Sequence, residues 1–132
     1  MKLEAWQKAI ELYKLVWDVV VEARVEFKLR SQIADAALSI SSNISEGYSR
    51  RSVKEYIQFL YVALGSLSET MTRSVGMRVA QQISEEQFSK IDALHYEVEN
   101  KVIRLTESLE KKRDEGSWVD RISDDIAEYN NP

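Results

Sequence analysis

Two neighbouring stretches of this chain carry almost no charge, and a helix without a charged face has nothing suited to water. The thirteen residues Tyr56 to Ser68 have no charge, and Ile33 to Ser45 have only Asp35. In a small monomeric bundle one side of every helix must meet solvent. Both stretches read as helical, so the pattern argues that something beyond the chain's own core covers them. The simplest cover is another copy of the same chain.

Four helices follow from apolar spacing. Trp6, Ile10, Tyr13, Val16, Trp17 and Val20 recur every three or four residues, which predicts one buried face on a helix from about Glu4 to about Arg24. Leu29, Ile33, Ala37, Ile40 and Ile44 mark a second helix. It is expected to end near Gly47, a residue suited to the left-handed turn after a helix. Ser52 and Glu55 predict a capping box opening a third, with the stripe Val53, Ile57, Leu60, Leu64, Leu67 and Met71. Ser84 and Gln87 open a fourth in the same way, followed by Phe88, Ile91, His95, Val98, Val102, Leu105 and Leu109 in a heptad-like seam. Short connections make neighbours antiparallel, so the expected fold is all-α, an up-down-up-down four-helix bundle over residues 1–112.

Composition narrows the rest. A chain of 132 residues fits one domain, and without cysteine it has neither disulfides nor thiolate metal sites. Its opening residues read as neither a signal peptide nor a membrane span, which gives a soluble cytoplasmic protein as the expectation. The net charge of −4 sits wholly in residues 113–132, where two arginines meet six acids; the first 112 residues balance sixteen against sixteen. Within that acidic tail Trp118, Val119, Ile122, Ile126 and Tyr129 have the spacing of a short apolar face. Such a face either docks on the chain's own bundle or on a neighbouring subunit, or is offered to another protein, for which Trp118, Ile122 and Ile126 are the candidate contacts.

Beside the core stripes the second and third helices each carry another. Gln32, Ala36, Ser39, Asn43 and Glu46 form one band about 100° from the isoleucine line, and Glu55, Phe59, Val62, Ser66, Glu69 and Arg73 form the other. Phe59 and Val62 are expected to face water in a monomer, and burying each against a neighbour would contribute roughly 1.5–3 kcal/mol. Ser39, Asn43, Phe59, Val62 and Ser66 are therefore the expected oligomer interface. A hairpin turning near Arg50 would place Gln32 opposite Ser66 and Glu69, and Glu46 opposite Lys54 and Glu55. Gln32, Glu46, Glu55 and Glu69 are accordingly expected to form a structural polar network.

No residue pattern points to catalysis. His95 is the single histidine and lies on a core seam; no Glu-x-x-His pair, phosphate loop or nucleophile motif accompanies it. No metal or cofactor is expected. For nucleic acid the candidates are Lys2, Lys8, Arg50, Arg51, Lys54, Lys111, Lys112 and Arg113, which the topology would gather at one end of the bundle. The competing account is helix-end chemistry, in which Lys111 to Arg113 complement the fourth helix's negative end and Arg50 and Arg51 pair with Glu46 or Glu55.

Ser39-x-x-x-Asn43-Ile44-x-Glu46-Gly47, followed by Arg50 or Arg51, Ser52, Glu55, Phe59-Leu60, Ala63, Gly65-Ser66 and Glu69, resembles a known signature. It is that of the four-helix-bundle proteins encoded in intervening sequences of bacterial 23S ribosomal RNA genes. Trp6 and Glu26-Phe27-x-Leu29-x-x-Gln32 extend the likeness, which covers roughly residues 4 to 110. The resemblance implies rings of five subunits. It also implies a distant relation to the accessory protein of diversity-generating retroelements, a five-fold bundle that binds a reverse transcriptase and nucleic acid. The chain departs from the pattern in lacking prolines around Val21–Val25 and Ser41-Ser42, and in having Thr70 where an aliphatic residue is usual. A more helical first loop and looser packing late in the third helix are the expected consequences. Two functions stay open: an oligomer that binds structured RNA or DNA through a basic end, and a scaffold or accessory subunit that binds protein.

Overall fold

The computed structural model describes residues 3–116, and Lys2 and the tail residues Trp118, Ile122 and Ile126 lie outside them. Four helices account for nearly all of the described chain: α1 (Glu4–Glu22), α2 (Phe27–Tyr48), α3 (Val53–Val79) and α4 (Glu85–Asp114). They pack in a cycle, α1 on α2, α2 on α3, α3 on α4 and α4 back on α1. Neighbours run antiparallel, as cross-links such as Lys101 to Glu4 and Ser66 to Ser39 require. No strand occurs among the described residues, and no helix among them is long and apolar enough to cross a membrane.

Local chemistry explains the boundaries. Ser84 accepts the Gln87 backbone N–H at 3.0 Å while the Gln87 side chain accepts the Ser84 N–H at 2.8 Å, so the capping box closes fully there. At Ser52 only the first half forms, a 3.3 Å bond from the Glu55 N–H. The cap of α2 is Glu26, whose carboxylate accepts the Leu29 N–H; glutamate is a weak N-cap signal in sequence. Chain reversal after α1 and α3 uses left-handed Arg24 and Gln81, two residues with no glycine's freedom to advertise the turn.

The core is continuous through all four helices, with Leu12, Val16, Ile33, Ile40, Ile44, Ile57, Leu60, Leu67, Ile91, Val98 and Val102 almost wholly excluded from solvent. On α1 the buried face differs from the expected one. Ala5, Ala9, Leu12, Val16, Val19 and Val20 point inward, Trp6 and Tyr13 flank the core, and Ile10 and Trp17 are exposed. Both stripes have helical spacing and share Val16 and Val20. The alanine side wins because it lets α1 approach, whereas a stripe of aromatics would hold it off. Trp17 instead lies under the Arg30 guanidinium, 6.0 Å from its ring, and Phe27 lies 5.5 Å from the same cation.

Gly47 is also corrected. It is not a left-handed stop but sits inside α2, buried, because α3 crosses there. A Cβ added at Gly47 would stand 2.9 Å from the Phe59 Cβ and 3.2 Å from the Tyr56 carbonyl oxygen. Late α3 is not loosely packed either. Thr70 and Ser74 are fully buried, and each hydroxyl donates to the carbonyl one turn back, Thr70 to Ser66 at 2.8 Å and Ser74 to Thr70 at 2.9 Å. Ser41 and Thr106 are satisfied within their own helices too. The first loop, for its part, breaks helix between Glu22 and Phe27 without proline. His95 completes the core as its Nε2–H donates to the Leu67 carbonyl at 2.8 Å.

Gly47→Ala is expected to destabilise the bundle by about 1–3 kcal/mol, since the clash is with backbone and a Cβ rather than a flexible tip. Urea unfolding followed by circular dichroism measures it. A fully neutral substitution would contradict the close crossing.

Candidate interaction face and cationic end

Two surfaces hold the candidate residues. On the α2–α3 face the Ser66 hydroxyl donates to Ser39 Oγ at 3.0 Å, and the Asn43 amide donates to Ser39 Oγ at 3.0 Å and to the Ser39 carbonyl at 2.8 Å. About two turns along α3, Arg73 donates to the Gln32 side-chain oxygen Oε1 at 3.1 Å and to the Glu69 carboxylate at 3.2 Å. In both cross-helix pairs, 39 with 66 and 32 with 73, the residue numbers add to 105. The expected register, turning at Arg50 with numbers adding to about 100, is thus corrected. The helices meet a few residues further along although the connection, residues 49–52, is itself centred near Arg50.

Gln32 therefore pairs with Arg73, not with Ser66. Gln32, Asp35, Ala36, Ser39, Glu69 and Arg73 line an open groove of about 360 Å³. Arg73 was the cross-helix partner hardest to foresee, although its i,i+4 spacing from Glu69 is a visible signal. Val62 shares the Ser66 side of α3 and is 53% exposed. Phe59 is half-buried and not fully open to water as expected: the Arg50 guanidinium lies over its ring at 4.9 Å, and Gly47 lies beneath its Cβ.

The second surface is the end formed by the α2–α3 turn and the last turns of α4. Residues 46–55 and 110–115 together supply six cations and five carboxylates, so this end is nearly balanced. Glu46 pairs with Arg50 at 2.6 Å, not with Lys54 or Glu55, and Arg113 pairs with Asp114 at 3.1 Å. Arg51, Lys54 and Lys111 are exposed and make no ion pair among the described residues; Lys112 is exposed beside them. Lys8 does not join the group. It bonds Glu11 at 3.2 Å and Glu97 at 3.4 Å, and Glu97 lies about 21 Å down α4 from Lys111. Those two carboxylates hold the Lys8 ammonium above its ordinary pKa through hydrogen bonds first and charge second.

Between the two surfaces, Tyr61 donates to the Glu110 carboxylate at 2.6 Å, bridging α3 to α4. That bond is the main reason the Tyr61 hydroxyl titrates higher than usual, and Arg113 is near enough to oppose the shift. A similar link ties α1 to α4, where Lys101 donates to Glu4 at 2.7 Å and lowers its pKa. None of these groups forms a nucleophile–base pair. Among the described residues no cluster of His, Asp and Glu could hold a metal ion.

The model of the 23S rRNA-intervening sequence protein family matches residues 1–104. The chain belongs to that family. Among solved structures it is similar to a protein of unknown function from the S23 ribosomal protein family of Bacteroides thetaiotaomicron VPI-5482. The two share 24% identity with a TM-score of 0.71, over 77% of this chain and 97% of that one. At that identity the likeness establishes the four-helix fold. No curated protein matches the chain. The family match spans α1 to α3 and most of α4, including every residue of the Ser39–Asn43–Ser66 ladder, and stops before the Lys111–Arg113 cluster.

Gln32→Leu is expected to lower stability by about 1 kcal/mol, since it strips a charge-assisted, half-buried hydrogen bond from Arg73. An unchanged melting temperature together with unchanged assembly would show that this bond has no part in fixing α2 against α3.

Proposed function

We propose that this family member is a non-enzymatic assembly unit whose copies join through the α2–α3 face into a closed ring, five-membered by analogy with the family. In this reading the ring's cationic ends meet the phosphates of structured RNA or DNA. The observation that supports it best is Val62, a β-branched apolar side chain 53% exposed beside the uncharged Ser39–Asn43–Ser66 ladder. Leu38 on α2 is also more than a third exposed. The strip of Val62, Ser39, Asn43 and Ser66 is apolar and hydroxyl-rich and carries no charge of its own, which suits a second copy better than water. A closed ring needs two different patches per subunit, so the α2–α3 face supplies one side of each contact. The non-enzymatic part rests on His95, the single histidine, whose ring is engaged in the core.

Light scattering on the full chain at micromolar concentration is expected to give a mass of several subunits. Val62→Glu should break the oligomer while helix content is kept. Val62 is the cleaner test than Phe59, where a glutamate would meet Arg50 and disturb the Gly47 crossing. A monomeric wild-type protein would overturn the ring.

For nucleic acid the support is Arg51, Lys54 and Lys111, cations without carboxylate partners among the described residues and repeated around a ring. Many weak phosphate contacts add up, and salt erodes them. Fluorescence anisotropy with a 23S rRNA fragment and with duplex DNA should show binding at about 50 mM salt that falls by an order of magnitude or more at about 200 mM. Changing Arg51, Lys54 and Lys111 to Glu should abolish it with the oligomer intact. The near balance of six cations and five carboxylates favours a second reading, a protein-binding scaffold. Absence of binding to either nucleic acid at low salt would leave that one standing.

A further inference from the structure

A closed ring needs a second patch on each subunit to meet the α2–α3 face, and the bundle's own charges limit where that patch can lie. The α4–α1 side is laced with ion pairs, Lys8 with Glu11 and Glu97, and Lys101 with Glu4, and it suits water. The α1–α2 side is different. Trp17 is 42% exposed and Phe27 70%, and both rings flank the Arg30 guanidinium. Arg30 is half-buried, its Nε is shut off from solvent without an acceptor, and its side chain makes no hydrogen bond or ion pair among the described residues. A guanidinium carries five donors, and leaving them unmet inside a protein is costly. This cluster therefore presents two aromatic rings and a cation that lacks a carboxylate.

The α2–α3 face has a place of matching shape and charge. Leu29, Arg73, Gly76, Met77 and Gln82 line a hollow of about 200 Å³. Through Arg73 it adjoins the groove that holds Asp35, which is exposed and makes no ion pair among the described residues. Gly76 is exposed inside α3, and a Cβ added there would meet nothing within 4 Å. The subunit's own packing thus has no need of a glycine at this position, and glycine is among the poorest helix formers. What it provides is a low spot where an outside group can come close to the α3 backbone.

Height along the bundle decides whether the two can meet. Rotation about an axis parallel to the helices leaves every residue at its own height, so in such a ring a patch meets one at the same level. Facing residues of α2 and α3 have numbers that add to 105, which sets Gly76 level with Leu29. Phe27 and Arg30 are within two residues of Leu29, about 3 Å along the axis, and Trp17 is held against Arg30. Asp35 is five residues from Arg30, about 7.5 Å, a span that an arginine side chain covers. Ile10 and Leu38, exposed on the cluster's side, continue it toward the height of Val62. The two faces share α2, so they look out in directions near a right angle, which closes a small ring and not a filament.

We propose that the Trp17–Phe27–Arg30 cluster of one copy seats in the Leu29–Gly76–Met77 hollow of the next, with Arg30 paired to that copy's Asp35. This is the second half of the ring contact, and the assignment rests on the ring proposed above.

Light scattering at micromolar concentration tests it, with circular dichroism as the check on folding. Arg30→Asp and Asp35→Arg should each lower the assembled fraction at least tenfold, and the two together should restore it. A guanidinium that only stacked on its own Trp17 would gain nothing from the second change. Gly76→Leu fills space that is open in the subunit, so it should keep or raise helix content while dissociating the ring. Because the chain has no cysteine, Val21→Cys and Gln82→Cys can be made in separate batches and mixed with a short bis-maleimide. The two should join to each other and neither to itself. An oligomer that Val62→Glu breaks, but that ignores Gly76→Leu and both charge reversals, overturns this pairing and leaves the ring standing. Val21→Cys joined to itself in equal yield also overturns it, since that marks a two-fold contact. A monomeric wild-type protein overturns the ring and this pairing together.

Discussion

The crossing of α2 and α3 at Gly47 governs how the rest of the molecule is arranged. A buried glycine there brings the Phe59 Cβ and the Tyr56 backbone within contact distance of α2, and Ala36, Ala37 and Ser41 keep the earlier part of that helix narrow. Two helices held this close leave room between them for short polar side chains only. Ser39, Asn43 and Ser66 fill the seam with hydrogen bonds, and the larger groups are pushed to its edges: Val62 outward, and Phe59 under Arg50. The exposed apolar surface and the polar ladder are thus two consequences of one close approach.

How much of this was legible depended on whether the deciding factor was local. Ser84 with Gln87 is a local signal, and the box closes as written. The four helices, the isoleucine line of α2 and the core place of His95 follow from spacing alone. The face of α1 did not, because Ala5–Ala9–Leu12 and Trp6–Ile10–Tyr13 are both valid helical stripes. Only the distance at which α1 can sit against its neighbours chooses between them. Gly47 misled for a related reason: glycine serves left-handed stops and tight crossings alike, and its partner at the crossing, Phe59, is twelve residues on. The register of α2 on α3 was displaced although the connection, residues 49–52, falls near Arg50 as expected, because the centre of a turn does not by itself fix which residues of two crossing helices face each other.

The cationic end shows why a list of basic residues overstates a field. Sequence gathers them by topology, but the structure supplies the carboxylates that come with them: Glu46 for Arg50, Asp114 for Arg113, and Glu11 with Glu97 for Lys8. What remains among the described residues is a small set of cations without an ion pair, Arg51, Lys54 and Lys111. A multivalent ring could use such a set where a single subunit could not.

The His95 bond to the Leu67 carbonyl has a mechanical meaning. The other buried polar side chains, Ser41, Thr70, Ser74 and Thr106, bond within their own helices, so none of them resists one helix sliding along another. His95 alone among them crosses from α4 to α3. A slip of α4 by one turn, about 5.4 Å, would bury its ring nitrogen without a partner at a cost of about 1–3 kcal/mol. Lys111 lies about 24 Å further along the same rod. The single histidine thus works as a detent against a slip of α4 along α3.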